Sequence, residues 1–429
     1  MPAALSLCHT RLIHKQQPRL YSSTTLPRCE YRRIFGQTLP FVKSHYFRVR
    51  WTAAKVGIVF VLGSVSLSTA YATASHELDE KRLKDILVRG TCPSVNVEVS
   101  DFVRRPSVEA ALERMVTPSK KPANYFVVVG ETGSGKSTMM KAACSKVGGG
   151  VIYVDVPEKT RNFGDAFADA IGFKFHTPNN LSDWFYGLVY GPGPPLRKER
   201  WELPYEKFKE LASWYRSTYG ITPVLVIDNS DFLAKDSEKV LEILQRGAKG
   251  GIDENLFVAV FVAADGATQT HIESRSAFSR GKLYRVGDLD DSQIKDFLNK
   301  RKVDPAIHDQ VRDLVGGRVL LLSIVCEELN AGTPFEHVRA DRMKDVEKRI
   351  GRVVNPHNQY VYESILRAAT SKRVFKAVDC EIKKAAVTEE EFLKLELTLE
   401  KLVVENVLSK VDAGYSFHSN VERAYCMEN

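Results

Sequence analysis

From Gly130 onward the chain reads Gly130, Glu131, Thr132, Gly133, Ser134, Gly135, Lys136, Ser137 and Thr138. The pattern is G-x-x-x-x-G-K-[ST], and its neighbours suit it. Phe126 to Val129 is a short apolar, β-branched run that predicts a buried strand, and MMKAACSKV after Thr138 is compatible with a helix. Strand, glycine loop and helix in that order make a cradle for phosphate. Glycines let the backbone turn so that its N–H groups converge on phosphate oxygens. The helix N-terminus adds partial positive charge at the same point. Lys136 is then expected to reach the β- and γ-phosphates of ATP, and Ser137 to hold Mg²⁺. All nine residues are candidate nucleotide ligands.

A second element must bring a carboxylate to this loop. Pro223-Val224-Leu225-Val226-Ile227-Asp228-Asn229 is four apolar residues followed by an acid, about ninety residues downstream. It predicts a buried strand that delivers Asp228 to Mg²⁺ at its C-terminal end. The next position carries an amide, Asn229, where a water-polarising glutamate is common, which puts fast hydrolysis in doubt. Asp231 is either its substitute or the N-cap of the following helix.

Further strands are expected at Val151–Val156 and Leu256–Ala263, with helices at 107–115, 162–171 and 203–219 between them. Alternating strands and helices imply an α/β domain with a parallel sheet and flanking helices. After the fourth strand, Asp265 is the nearest polar residue able to sense the γ-phosphate. Arg275 and Arg280 follow, and Arg280 is the preferred candidate for a phosphate-contacting arginine. Ahead of the core, Arg104 and Arg105 stand at a helix entry, either against nucleotide or as a solvated pair.

Charge is placed unevenly. Residues 1–55 hold ten Lys or Arg and one acid, leaving 51 basic against 52 acidic residues in the rest. The body therefore lacks the basic footprint of a nucleic-acid binder. The first fifty residues, rich in Arg, Ser and Thr, have the composition of a mitochondrial presequence, with cleavage expected after Tyr21. Residues 22–55 are a basic linker. Residues 56–74 carry no charge, and nineteen residues suffice to span a bilayer, so one transmembrane helix is expected there. That placement predicts a single-pass protein of the mitochondrial inner membrane. The basic flank of the span slightly favours the intermembrane space for the C-terminal body of the chain. Residues 75–100 read as a connector: a strand-like Val95–Val99 preceded by an amphipathic stretch. The seven cysteines form no metal-binding spacing and no disulfide framework.

Beyond 286, helical patterns surround Gly316-Gly317-Arg318, and 357–429 carries helices followed by two short strands around Asp412-Ala413-Gly414. With the phosphate loop and Asp228, this order over residues 100–429 resembles the STAND and archaeal-type branch of AAA+-related P-loop ATPases. The resemblance implies a P-loop core at 101–285, a helical lid at 286–350 and a winged helix at 351–429. It also implies Mg²⁺ and ATP between core and lid, Arg318 as a second sensor arginine, and ATP hydrolysis that switches lid and winged helix against protein partners. Homo-oligomers are allowed by it. Two alternatives stay open: a nucleotide-gated scaffold with little turnover, and a membrane-attached ATPase that handles nucleic acid. Ten basic against twelve acidic residues from 356 to 429 make nucleic acid the less favoured partner.

Overall fold

The computed structural model describes residues 40–94, 102–175, 199–264, 267–380, 389–411 and 414–428. The chain divides into two units, Met1–Ser66 and Leu67–Asn429. The expected presequence, the strand at 95–99 and Asp265 lie outside the described residues.

The first helix, α1, runs Pro40–Arg89. It takes in the stretch at 56–74 that the sequence reads as a membrane span. Among the described residues no helix is long and apolar enough to cross a membrane. Ser64, Ser66, Ser68 and Thr69 dilute the apolar run. Within the second unit, the C-terminal turns of α1 are part of the core. Leu83 and Leu87 are buried there, and the Arg82 guanidinium donates to the Gly172 carbonyl at 2.6 Å.

Five parallel strands form the central sheet: β1 (Tyr125–Gly130), β2 (Val151–Asp155), β3 (Val224–Asp228), β4 (Val258–Ala264) and β5 (Gly281–Arg285), in the spatial order β2-β3-β4-β1-β5. Val, Ile, Phe and Ala fill β1, β3 and β4 because both faces of these strands are covered. The cover comes from α2 (Pro106–Val116), α3 (Lys136–Val147), α4 (Phe163–Ile171), α5 (Glu202–Tyr219), α6 (Asp231–Asp236), α7 (Glu238–Asp253) and α8 (Ala267–Glu273). Phe163, Phe167, Phe208 and Phe257 pack edge-to-face or tilted between α4, α5 and the lead-in to β4. β5 is the one strand sequence reading did not mark. Its GKLYR is only half-buried at the sheet edge, so it lacks the apolar run of its neighbours.

Beyond the sheet stand α9 (Asp291–Lys300), α10 (His308–Val315), α11 (Val319–Asn330) and α12 (Phe335–Val353). Asp290 and Gln293 form a capping box on α9. Then come α13 (Gln359–Ser371), α14 (Glu389–Val404), the antiparallel pair β6 (Leu408–Val411) and β7 (Gly414–Phe417), and α15 (Asn420–Glu428). Phe375 bridges Tyr415 on the outer side of β7. These helices and the hairpin share one apolar core that is separate from the sheet's, built on Phe297, Val311, Leu322, Val346, Ile365 and Leu399.

Candidate nucleotide site

Every strand of the sheet points the same way, so the C-terminal ends of β1, β2 and β3 share one edge. The phosphate loop leaves β1 there. Gly133 and Gly135 take φ of +82° and +89°, where a side chain is strained, and Gly135 opens α3. A Cβ on Gly133 would also lie 2.6 Å from that of Leu320, and Leu320 N–H donates to the Gly133 carbonyl at 3.1 Å. The first turn of α11 therefore rests directly on the loop.

Lys136, Ser137 and Asp228 meet in a cleft of about 240 Å³ that is also lined by Thr132, Thr138, Asn229 and Asp231. The Lys136 ammonium donates to the Glu131 carbonyl at 2.9 Å. Burial lowers its pKa, and the carboxylates of Asp231, Asp228 and Glu131 oppose that shift. The Ser137 hydroxyl donates to Asp228 Oδ1 at 3.0 Å. Asp228 is 1 % exposed, and burial raises its pKa against the hydrogen bonds it accepts. Those bonds come from Ser137, from the Asn229 N–H at 2.9 Å and from the Tyr153 hydroxyl. Tyr153 escaped sequence reading, as did Asp155 on the same strand. Their i, i+2 spacing at the end of a buried strand was the available signal.

The donor set fits Mg²⁺. One hydroxyl and one carboxylate are what this ion usually takes from a protein in phosphate sites, the remaining ligands being phosphate oxygens and water. The loop also fits an anion. Among the described residues the Ser134 hydroxyl is buried with no hydrogen-bond partner, and the ammonium of Lys136 donates to a carbonyl alone.

Asn229 sits at φ +56°, a left-handed conformation that Asn tolerates better than most residues. Its side-chain amide donates to Asp155 Oδ1 at 2.7 Å. Asp231 accepts the Ala264 N–H at 2.7 Å, and burial raises its pKa. It lines the cleft as a tie between α6 and the end of β4.

Arg318 and Arg280 part company. Arg318 is 3 % exposed and lies beside the loop, donating to the Thr132 carbonyl at 3.3 Å. It forks onto Asp288 at 2.8 and 3.3 Å and donates to the His418 carbonyl at 2.8 Å. His418, just after β7, was not singled out by the sequence. Its Nδ1 lies 3.2 Å from Glu131 Oε2 and 3.0 Å from the Ser409 hydroxyl, and its Nε2 is 3.3 Å from Arg318 Nη1. A guanidinium only donates, so Nε2 accepts and the ring proton sits on Nδ1, facing Glu131. Arg280 precedes β5 and so stands at the N-terminal edge of the sheet, a strand's length of roughly 16 Å from the loop. It pairs there with Asp253 at 2.9 Å. Arg275 likewise pairs with Glu238.

Arg105 is buried and holds the loop from beneath. Its guanidinium donates to the carbonyls of Gly287 at 2.8 Å, Asp288 at 3.3 Å and Ser134 at 3.4 Å. Burial lowers its pKa, with Asp288 opposing. Arg104 is exposed and pairs with Glu109.

Residues 119–269 match the family model of the AAA domain. That span holds the loop, Asp228 and four of the five strands, and the core is a P-loop NTPase fold. No curated protein matches the chain. Among solved structures the chain is similar to the Walker-type ATPase PABY2304 of Pyrococcus abyssi, at 14 % identity and TM-score 0.46, over 77 % of this chain and 97 % of that one. It is also similar to the Orc1 protein of Aeropyrum pernix, solved in complex with DNA, at 16 % identity, TM-score 0.38 and coverage of 78 % and 95 %. AMPPCP-bound DnaA of Aquifex aeolicus matches at 14 % identity and TM-score 0.34, over 70 % and 86 %.

Proposed function

We propose that the chain binds Mg²⁺ and ATP in the cleft between the phosphate loop and α11, hydrolyses the ATP, and uses the nucleotide state to move the C-terminal helices and hairpin against a protein partner. The observation that carries this reading is the meeting of Lys136, Ser137 and Asp228 at one sheet edge, beneath a lid helix that touches the loop through Leu320. Lys136 would neutralise the β- and γ-phosphates. Ser137 and Asp228 would hold Mg²⁺, which supplies charge neutralisation at the transferred phosphoryl group. Tyr153 fixes the Asp228 carboxylate by holding its second oxygen. Arg318, freed from Asp288 and His418, would be within reach of the γ-phosphate across Thr132. A contact that depends on the γ-phosphate is what lets hydrolysis shift the populations of two arrangements.

Residues 351–429 are read as a winged helix serving as a protein-interaction module, supported by the hairpin, the Phe375–Tyr415 bridge and the lack of net positive charge. The basic N-terminal segment is read as a mitochondrial presequence. Steady-state phosphate release by the full chain, with and without Mg²⁺, tests the central reading. Mg²⁺-dependent turnover supports it, and ATP binding with no release would leave the second reading, a nucleotide-gated scaffold. That second reading is favoured by the amide at Asn229.

A further inference from the structure

A second hollow adjoins the phosphate loop at Glu131. This cavity, of about 360 Å³, lies between the end of β5, the turn joining α10 to α11, the hairpin β6–β7 and the first turn of α15. Among the described residues none lines both this cavity and the cleft that holds Lys136, Ser137 and Asp228. We propose that the cavity is a second binding site, one that takes the phosphate dianion of a small phosphorylated molecule.

Its lining carries an unbalanced charge. The guanidiniums of Arg285, Arg318, Arg373 and Arg423 face it with two carboxylates, Glu131 and Asp288. With His418 neutral, the excess is two positive charges. Both carboxylates are already engaged, Asp288 by Arg318 and Glu131 by the His418 ring. Arg285 donates to a neutral oxygen, that of the Gln269 amide, at 2.9 Å. Among the described residues the side chains of Arg373 and Arg423 have no hydrogen-bond or ion-pair partner. Like charges gathered around one concavity repel, and a dianion cancels the excess. Guanidinium forks match phosphate oxygens in geometry as well as in charge.

The walls are built rather than incidental. Arg318 is 3 % exposed and is held by Asp288 and by the His418 carbonyl, so its charge is fixed in place. Gly316 takes φ +66°, and a Cβ there would lie 3.1 Å from the Asn420 carboxamide, so this turn and the start of α15 close on each other. The helix α15 begins at Asn420, itself part of the lining, which puts the positive end of its dipole at the cavity. Ser409, Ser416 and Ser419 add hydroxyls, which suit a hydroxylated body on the phosphate. Two contacts join this cavity to the nucleotide cleft. Arg318 donates to the Thr132 carbonyl, and Lys136 donates to the carbonyl of Glu131. An occupant would thus tie the hairpin and α15 to the phosphate loop. Nothing in this requires that the chain hydrolyse ATP.

The test is calorimetric titration of the full chain with inorganic phosphate and with glycerol phosphate. It compares the wild type, Lys136→Ala, and the double variant Arg373→Gln plus Arg423→Gln, with thermal unfolding as the check on folding. A second pair, Arg114→Gln plus Arg367→Gln, removes the same charge from exposed helix faces outside the cavity. Binding should survive Lys136→Ala within about threefold, because separate sites act independently. The Arg373 and Arg423 double variant should lose about 30-fold or more, the effect of two charge-assisted contacts. The exposed pair should stay within about threefold, since distant surface charges are screened. Should the double variant unfold, Arg423→Gln alone is read in the same way, with a loss of about fivefold or more expected. Glycerol phosphate binding about tenfold or more tighter than inorganic phosphate would assign the site to a phosphorylated polyol. Equal affinities would assign it to free phosphate, and either result upholds the site. Binding that Lys136→Ala abolishes and the double variant keeps would place the anion in the nucleotide cleft and overturn the proposal. Equal losses in the two double variants, or no binding of either probe by the wild type, would overturn it as well.

Discussion

The two sides of the phosphate loop are built differently. The phosphate wall is made of short contiguous segments at the ends of β1, β3 and β4, and its side chains are fixed by hydrogen bonds to the sheet or to one another. The lid wall is assembled from Glu131, Asp288, Arg318 and His418, which lie up to nearly three hundred residues apart. Its contacts are one forked ion pair, one ring and a few carbonyls. A sheet edge gives rigid placement, which phosphate and Mg²⁺ chemistry needs. A wall held by a handful of polar contacts between separate apolar cores can open without unfolding either one, which a switch needs.

Breaking the rigid wall should have the largest effect. Asp228→Asn is expected to abolish Mg²⁺-dependent turnover, a loss of at least about 100-fold. The same change should raise the melting temperature of the nucleotide-free protein at neutral pH. Burial raises the Asp228 pKa above its ordinary 3.8, so ionising it costs folding free energy at any pH above its folded value. That cost disappears as pH falls from the folded value to 3.8, so the melting difference should narrow over that interval. A lower melting temperature at neutral pH would show that the hydrogen bonds from Tyr153, Ser137 and Asn229 outweigh the burial.

The lid wall should respond more mildly. His418→Ala removes the ring between Glu131 and Arg318 and is expected to speed nucleotide exchange by about fivefold or more, the low end of typical coupling between sites. Stopped-flow release of a fluorescent ADP analogue measures it. An unchanged rate would mean that the lid opens without parting this contact. The smallest effect belongs outside both walls. Arg280→Ala removes an exposed ion pair with Asp253, worth about 0–1 kcal/mol, and turnover of the isolated chain should stay within about twofold. A large loss that appears only at high protein concentration would place Arg280 in the site of a neighbouring copy.

The same contrast decides what the sequence revealed. The phosphate loop and the β3 aspartate were legible because each is a local pattern whose chemistry and secondary structure coincide. Helices α2, α4 and α5 of the core and α10 and α11 beside Gly316 were legible from apolar periodicity. Arg280 stands away from the loop of its own chain, because closeness to a strand in sequence says nothing of which end of the sheet a residue occupies. Helix α12 was missed because its sequence, FEHVRADRMKDVEKRIGRV, is dominated by charge, with burial only at Val338, Val346, Ile350 and Val353. The meeting of His418 with Glu131 left no sequence trace, since it depends on how two apolar cores dock. For Arg105 the sequence leaves open a nucleotide contact or a solvated pair, whereas it supports the loop from below. Only the structure shows its guanidinium buried against three carbonyls.

The central claim is that the cleft at the end of β1 and β3 is a Mg²⁺–nucleotide site. Its most direct test is equilibrium binding of a fluorescent ATP analogue to the full chain and to Lys136→Ala, each with and without Mg²⁺. Binding that Mg²⁺ strengthens and that Lys136→Ala weakens by about 100-fold or more is the predicted result. Equal affinity in the two proteins, or no dependence on Mg²⁺, would contradict it.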